Sequence, residues 1–402
     1  NLYLNHGLDF IRKLNGMFAI AIHDARDASL HLIRDRMGKK PLWISQLNDG
    51  TLFFASEVRA LMLARPDRTL RTEMVAEVMQ YGYINSPNSA FNEISQLPPA
   101  SVLTWTNGKT STRRYWEPDF GAKVEVSYEE ALETTKKLIE ESVSRRLVSE
   151  RPIGSFLSGG YDSTVVTAYM AKLMSEKVQT YSIGFHSAQF NEAHHAKKVA
   201  SFLGANHHEE ILSPDPALIL EKIAHVLDQP FADSSIIPTY ELAEFASSDV
   251  VVALGGDGGD EVFAGYDRYR AAPALQKLSK AIQFLGPVGP LLSQSKLIKN
   301  RRVNRLLSEM ESRSSLNASY RSIMSLTKPD LLKNLIQSDF FDLDSIYDFD
   351  KNFEMPGAKD NLSKMLRSDF SHYLPGDLLV KADLATMAHG LELRSPLLDV
   401  QL

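Results

Sequence analysis

The chain has 402 residues, 44% hydrophobic and 23% charged, with a net charge of −6 at pH 7 and no cysteine. That length exceeds one ordinary core, so two domains are expected, and the composition is that of a soluble globular protein. Disulfides, zinc–thiolate sites and cysteine nucleophiles are excluded within these residues, and the lack of a basic stripe or a membrane-length apolar run argues against nucleic-acid and membrane partners.

In chain order, Gly16 to Ile22, His31 to Arg34 and Leu52 to Ala55 read as short β-runs bounded by Asp, Asn or Gly. A helical stretch at Thr72 to Gln80 and an alternating strand at Ser101 to Thr106 follow. Pro118 and Gly121 mark a boundary, after which Ser127 and Glu130 form a capping box opening a helix from Tyr128 to Val148. Strands at Ile153 to Leu157, Gln179 to Phe185, His207 to Leu212 and Val250 to Leu254 then alternate with helices. The helices are Ser163 to Met174, Asn191 to Leu203 (ended by Gly204), Pro216 to Leu227 and Pro238 to Ser247. Such alternation implies a parallel sheet covered by helices. Beyond about 270 the chain reads as mostly helical.

Two strand ends carry chemistry. The apolar run to Leu157 is followed by Ser158-Gly159-Gly160-Tyr161-Asp162-Ser163, and then by a helix. Glycine lets backbone N–H groups approach an oxyanion, and a helix start offers unpaired donors and partial positive charge. No Gly-Lys-Ser/Thr follows, so this is not a Walker loop, and Asp162 adds a carboxylate suited to Mg²⁺. A lone Ser-Gly-Gly is equally compatible with an ordinary tight turn. Downstream, the β-branched run to Leu254 ends in Gly255-Gly256-Asp257-Gly258-Gly259-Asp260-Glu261. So many glycines and carboxylates are a poor structural choice unless a metal-bound polyphosphate offsets the repulsion; the plain alternative is a surface Gly/Asp loop.

Together these residues resemble the synthetase half of the glutamine-dependent asparagine synthetase family, an ATP pyrophosphatase group with an S-G-G-x-D-S loop. Tyr181-Ser182-Ile183-Gly184-Phe185, the segment from Asp228 through Asp233-Ser234-Ser235, and the run from Leu378 through Lys381 and Asp383 to Glu392, Arg394 and Asp399 resemble further family motifs. Leu14-Asn15-Gly16-Met17-Phe18-Ala19, Arg34 through Leu42, and Phe54-Ala55-Ser56-Glu57 resemble later strands of its glutaminase domain.

The resemblance implies an α/β chain in two parts. Residues 1–118 would be a partial glutamine amidotransferase domain, a remnant of an α-β-β-α Ntn-type fold lacking its nucleophile segment. Residues 119–402 would be a parallel-sheet PP-loop synthetase domain with a largely helical C-terminal part. The family nucleophile is an N-terminal cysteine, whereas residue 1 is Asn. The chain is therefore expected to be an interior fragment of a longer enzyme, truncated at both ends. Its first third would present unpaired strand edges and be cut first by proteases.

The implied reaction is ATP-dependent amidation of a carboxylate through an acyl-AMP intermediate. Aspartate would become asparagine with glutamine-derived ammonia, releasing AMP and pyrophosphate. Alternatives are a family member acting on a sugar carboxylate of a surface polysaccharide, and a non-catalytic nucleotide-binding fragment. A tRNA-thiolating ATP pyrophosphatase would need cysteines or a basic RNA surface. Expected partners are ATP, glutamine or ammonia, and aspartate or another carboxylate acceptor; a homodimer and a cytoplasmic location are also expected.

By the same resemblance Leu157, Ile183 and Gly256 would contact the nucleoside. Ser158, Gly159, Gly160 and Ser163 would donate to pyrophosphate, with Gly255 in the same ATP set. Asp162 and Asp260 would hold Mg²⁺. Asp257 stands where many members carry Glu and is the catalytic candidate, one methylene shorter. Tyr161 replaces the commoner Leu and is expected to pack against the sheet, with shaping of the substrate pocket as the alternative. Lys381, Asp383, Glu392 and Arg394 are divided between substrate or pyrophosphate contact and structural ion pairs. His207 and His208 alternate across a strand and so do not converge on a metal.

Overall fold

The structure is a computed structural model that describes residues 1–121, 123–187, 191–212, 216–284, 315–327, 329–336 and 357–402. Its first strands are β1 (Ala19–Asp24), β2 (Ser29–Arg34), β3 (Trp43–Gln46), β4 (Leu52–Ala55), β5 (Ser95–Gln96), β6 (Ser101–Thr106) and β7 (Lys109–Arg114). They form a four-stranded antiparallel sheet in the order β1-β2-β6-β7 and a three-stranded sheet in the order β4-β3-β5.

Period-2 alternation stacks these sheets. Leu30 and Leu32 of β2, with Leu103 and Trp105 of β6, pack against Leu42, Ile44, Leu52 and Leu97 between the sheets. Ile33 and Val102 face the other way, onto Phe10 and Ile11 of the 3₁₀ segment Gly7–Lys13. On the far side, Trp43 and Phe53 pack on Val58 and Leu61 of the helix Val58–Ala64. The layers run helix, sheet, sheet, helix, as the resemblance implied. β7 left no apolar pattern in the sequence because all six of its residues are exposed.

The second part opens with the helix Tyr128–Arg146, whose N-cap Ser127 accepts the Glu130 N–H at 3.1 Å. It continues through β8 (Ile153–Phe156), αA (Tyr161–Leu173), β9 (Gln179–Phe185), αB (Ala193–Leu203), β10 (Asn206–Leu212), αC (Ile236–Ser247), β11 (Val252–Leu254), αD (Leu379–Met387) and β12 (Glu392–Arg394). The five strands are all parallel in the order β10-β9-β8-β11-β12. The chain steps outward from β8 to β9 and β10, then crosses to β11 and β12. Strand order therefore reverses between β8 and β11, the place where open α/β sheets bind ligands.

Both faces of this sheet are covered. Val252 and Leu254 pack with Val166 and Met170 of αA and with Ile139 and Val143. Ala253 points oppositely, into a cluster with Tyr181, Ala243, Ala246, Ala382 and Leu393. Leu254 is 0% exposed, and each such side chain contributes about 1.5–3 kcal/mol of burial. Past residue 270 the described residues are mainly helical, in Arg268–Phe284, Leu316–Met324, Pro329–Leu335 and Asn361–Ser368. The helical expectation for 285–314 and 337–356 lies outside the described residues.

The two parts are stitched together by polar contacts. Asn15 donates to both Asp399 carboxylate oxygens at 3.0 and 3.2 Å, and Lys40 pairs with Asp383 at 2.7 Å. The Val58 N–H reaches Asp228 Oδ2 at 2.7 Å, and the Ala232 N–H reaches the Gly82 carbonyl at 2.7 Å. These ties hold the first part against the second, and none of them comes from β1 or β7, the edge strands of its four-stranded sheet.

Candidate active site

The turn after β8 is shaped by close approaches. Gly159 has φ +83°, and a Cβ there would lie 2.6 Å from the Ala196 nitrogen of αB. Ser158 Oγ accepts the Gly160 N–H at 3.2 Å and lies 3.0 Å from Ser163 Oγ, which in turn accepts the Ser158 N–H at 3.3 Å. Gly160 is the N-cap of αA, so the first-turn N–H groups of that helix, which lack intrahelical acceptors, open onto the turn.

The turn after β11 presses against it. A Cβ on Gly256 would lie 2.7 Å from the Ser163 nitrogen, and one on Gly259 would overlap the Asp162 carboxyl. Gly258 has φ +90°, and the Gly255 N–H donates to the Arg394 carbonyl at 2.9 Å. Both turns line one cleft of about 820 Å³, together with Leu157, Ile183 and Lys381. Its apolar wall includes Phe156, Phe185 and Leu242.

Asp162, Asp257 and Asp260 all line this cleft. Burial, then the charges of Asp260 and Asp257, push the Asp162 carboxyl up to about 6. Burial also raises Asp260. Half-buried carboxylates such as Asp162 and Asp260 are of the ligand type that a hard divalent cation such as Mg²⁺ takes, while among the described residues no group of three or more His, Cys, Asp or Glu side chains converges as a ready-made metal site. Glu261 is 1% exposed and accepts the Tyr266 hydroxyl at 2.8 Å, while burial pushes it up to about 7.

The substrate candidates separate. Lys381 reaches the cleft and donates to Asp233 at 2.9 Å and to Ser235 at 2.7 Å. Asp383 lies elsewhere, lining a cavity of about 570 Å³ against the first part and pairing with Lys40. Two residues along a helix turn a side chain about 200°, so Lys381 and Asp383 face apart. Glu392 and Arg394 are also outside the cleft. They pair with each other at 2.6 Å, and Arg394 donates to the Arg146 and Val148 carbonyls at 2.7 and 2.9 Å. Leu393, between them, lines the cleft, so strand alternation sends its neighbours to the opposite face. The structural ion pair is thus the observed arrangement of these two.

Tyr161 does not pack against the sheet: it is 93% exposed at the rim of the cleft, because it opens αA beside the turn. His207 bonds Thr180 and Ser182 at 3.0 and 3.3 Å, while His208 bonds Gln179 and stacks on Tyr181. Pro238, Thr239 and Tyr266 also line the cleft and were not singled out from the sequence. The available signal was that αC opens directly after Asp233-Ser234-Ser235.

A family model described as asparagine synthase matches residues 134–402, and one described as a glutamine amidotransferase domain matches residues 1–116. The chain is 31% identical over 407 residues to asparagine synthetase [glutamine-hydrolyzing] 1 of Bacillus subtilis, covering 99% of this chain and 62% of that protein. It is 33% identical over 304 residues to a putative asparagine synthetase [glutamine-hydrolyzing] 2 of Methanocaldococcus jannaschii, covering 73% of this chain and 58% of that one. A putative asparagine synthetase [glutamine-hydrolyzing] of Mycobacterium tuberculosis is 29% identical over 419 residues, with 99% and 62% covered. The chain thus spans about three-fifths of the length of these relatives. With a synthase model matching most of its length and two glycine-rich turns meeting at the switch point of a parallel sheet, the chain belongs to the asparagine synthase family.

Proposed function

We propose that the cleft binds ATP with Mg²⁺ and activates a carboxylate, most simply that of aspartate, as an acyl-adenylate that ammonia converts to an amide. The observation that carries this reading is the meeting of the Ser158–Ser163 turn and the Gly255–Asp260 turn across the β8/β11 switch point. In this reading the N–H groups at the start of αA and the Ser158 and Ser163 hydroxyls hold the pyrophosphate. Leu157, Ile183 and Gly256 seat the nucleoside beside the apolar wall. Asp162 and Asp260 would hold Mg²⁺, which when bound neutralises phosphate charge. Asp257 acts at the reacting carboxylate or amine, and Lys381 faces the departing phosphates. Positioning and charge stabilisation carry most of such a reaction.

We also infer that residues 1–118 form the glutaminase-side unit and 119–402 the synthetase unit, in a cytoplasmic enzyme drawing ammonia from glutamine. Among the described residues, no helix is long and apolar enough to cross a membrane.

The test is an acceptor screen on the longest reading frame containing this chain, scoring AMP and pyrophosphate with ammonium as nitrogen donor. Aspartate-dependent release supports the reading, and release only with a uronic-acid acceptor assigns the sugar-carboxylate reaction instead. Nucleotide binding without release under any acceptor would leave a binding protein and defeat it.

A further inference from the structure

Lys39 belongs to the first part of the chain, on the loop between β2 and β3. That loop is held rigidly by Asp35, whose carboxylate accepts the N–H groups of Met37, Lys39 and Lys40 at 3.0–3.1 Å. Gly38 within it has φ +67°, and a Cβ there would lie 2.7 Å from Pro99. The backbone therefore has little freedom, and the Lys39 side chain is directed into the second part, where it is 6% exposed.

Its ammonium donates to Ser395 Oγ at 2.6 Å, and Ser395 Oγ donates to Asp257 Oδ2 at 3.3 Å. Lys39 does not line the ATP cleft; it lines the cavity of about 570 Å³ and a further one of about 310 Å³, whereas Asp257 lines the cleft itself. The relay thus passes through the cleft wall, from the loop after β2, through the residue after β12, to the turn after β11.

We propose that Lys39 is a positioning residue for Asp257, holding the carboxylate of the synthetase cleft through Ser395 and making amidation depend on a side chain of the other unit. The proposal rests on the reading that Asp257 works in the cleft. Electrostatics agrees with the geometry: burial pushes the Lys39 ammonium down to about 8, and Asp257, ahead of Asp383, is the strongest charge opposing that fall. A buried lysine needs acceptors and opposite charge, and these two groups supply both. The relay also suits an aspartate at this position. Its short side chain keeps the carboxylate close to the turn, where Ser395 can reach it.

The test compares Lys39→Met, Lys39→Arg, Ser395→Ala, the Lys39→Met/Ser395→Ala double variant and Asp257→Asn in the full-length protein. AMP release is followed with ATP, aspartate and ammonium chloride. Lys39→Met and Ser395→Ala are expected to lower kcat about tenfold with the KM for ATP within twofold. The double variant should lose little more than either single one, and Lys39→Arg should recover part of the rate. Equal changes in kcat and KM, additive losses, or wild-type rates in Lys39→Met and Ser395→Ala beside an inactive Asp257→Asn would overturn the positioning role alone. A fully active Asp257→Asn would instead overturn the underlying reading of the cleft, and with it the relay's purpose. A readout independent of turnover is the ¹³Cε resonance of Lys39, assigned with Lys39→Arg. Asp257→Asn should shift it, and an unmoved resonance would show that the two charges do not meet.

Discussion

The carboxyl group of Asp162 lies against the Cα of Gly259, so close that a single methyl group on Gly259 would overlap it. One residue lies in the first turn of αA and the other closes the turn after β11, and this contact holds the two halves of the cleft in register.

Gly259→Ala should therefore displace Asp162. Overpacking of this kind costs about 1–3 kcal/mol, and MgATP affinity should fall by about tenfold or more. Gly160→Ala makes the contrast, since its Cβ would meet only Ser158 Oγ, at 3.4 Å. That variant should keep its melting temperature but lose nucleotide affinity if phosphate docks on this turn. Calorimetric titration beside thermal melts separates the two, and unchanged affinity in both variants would argue against phosphate at these turns.

Mg²⁺ dependence should follow the protonation of Asp162. With its carboxyl near 6 rather than its ordinary value, the proton competes with the cation below that pH. Apparent Mg²⁺ affinity is expected to fall by about tenfold per pH unit below about 6 and to level off above it. Asp162→Asn should bind weakly with a flat profile. A wild-type profile flat from pH 5 to 8 would count against Asp162 as a ligand.

Glu261 should lower stability at alkaline pH. Its carboxyl is raised from 4.5 to about 7 chiefly by burial, and among the described residues its Oε2 has no hydrogen-bond partner. The folded state binds the proton more tightly than the unfolded state, so stability falls as pH rises from about 4.5 to about 7, then stays constant. Glu261→Gln removes the ionisation and should be more stable than wild type at pH 8, by up to about 3 kcal/mol, with the gain vanishing near pH 4. Urea midpoints at the two pH values check the sign.

Arg394 should matter for stability and not for acceptor recognition. Arg394→Lys loses the fork that ties the end of the helix Tyr128–Arg146 to β12 and should cost about 1–3 kcal/mol. The KM for the acceptor should stay within twofold, and a large rise in it would return Arg394 to the substrate site.

Cleavage at a protease site introduced between Trp116 and Ser127 should leave the two parts associated. Lys40–Asp383, Asn15–Asp399 and the Ala232–Gly82 backbone bond all cross between them. Gel filtration after cleavage should give one peak, and prompt separation would mean that these contacts are weak in solution.

The alternation of strands and helices from Tyr128 to Leu254, the Ser127 cap and the two glycine-rich turns were legible in the sequence, because each is a local pattern of period, cap or glycine spacing. Gln179–Phe185 was read with its observed bounds. The order of the strands was not legible, yet it is what brings Asp162 and Asp260 to one cleft. Nor were the exposed β7 or the directions of Asp383, Glu392, Arg394 and Tyr161, since type and spacing leave open which face of an element meets the ligand. The contact of Lys39 with Ser395 joins residues 356 positions apart. Only tertiary packing decides such a pair: the backbone after β2 is fixed by Asp35, and burial then leaves the ammonium to find its acceptor across the interface.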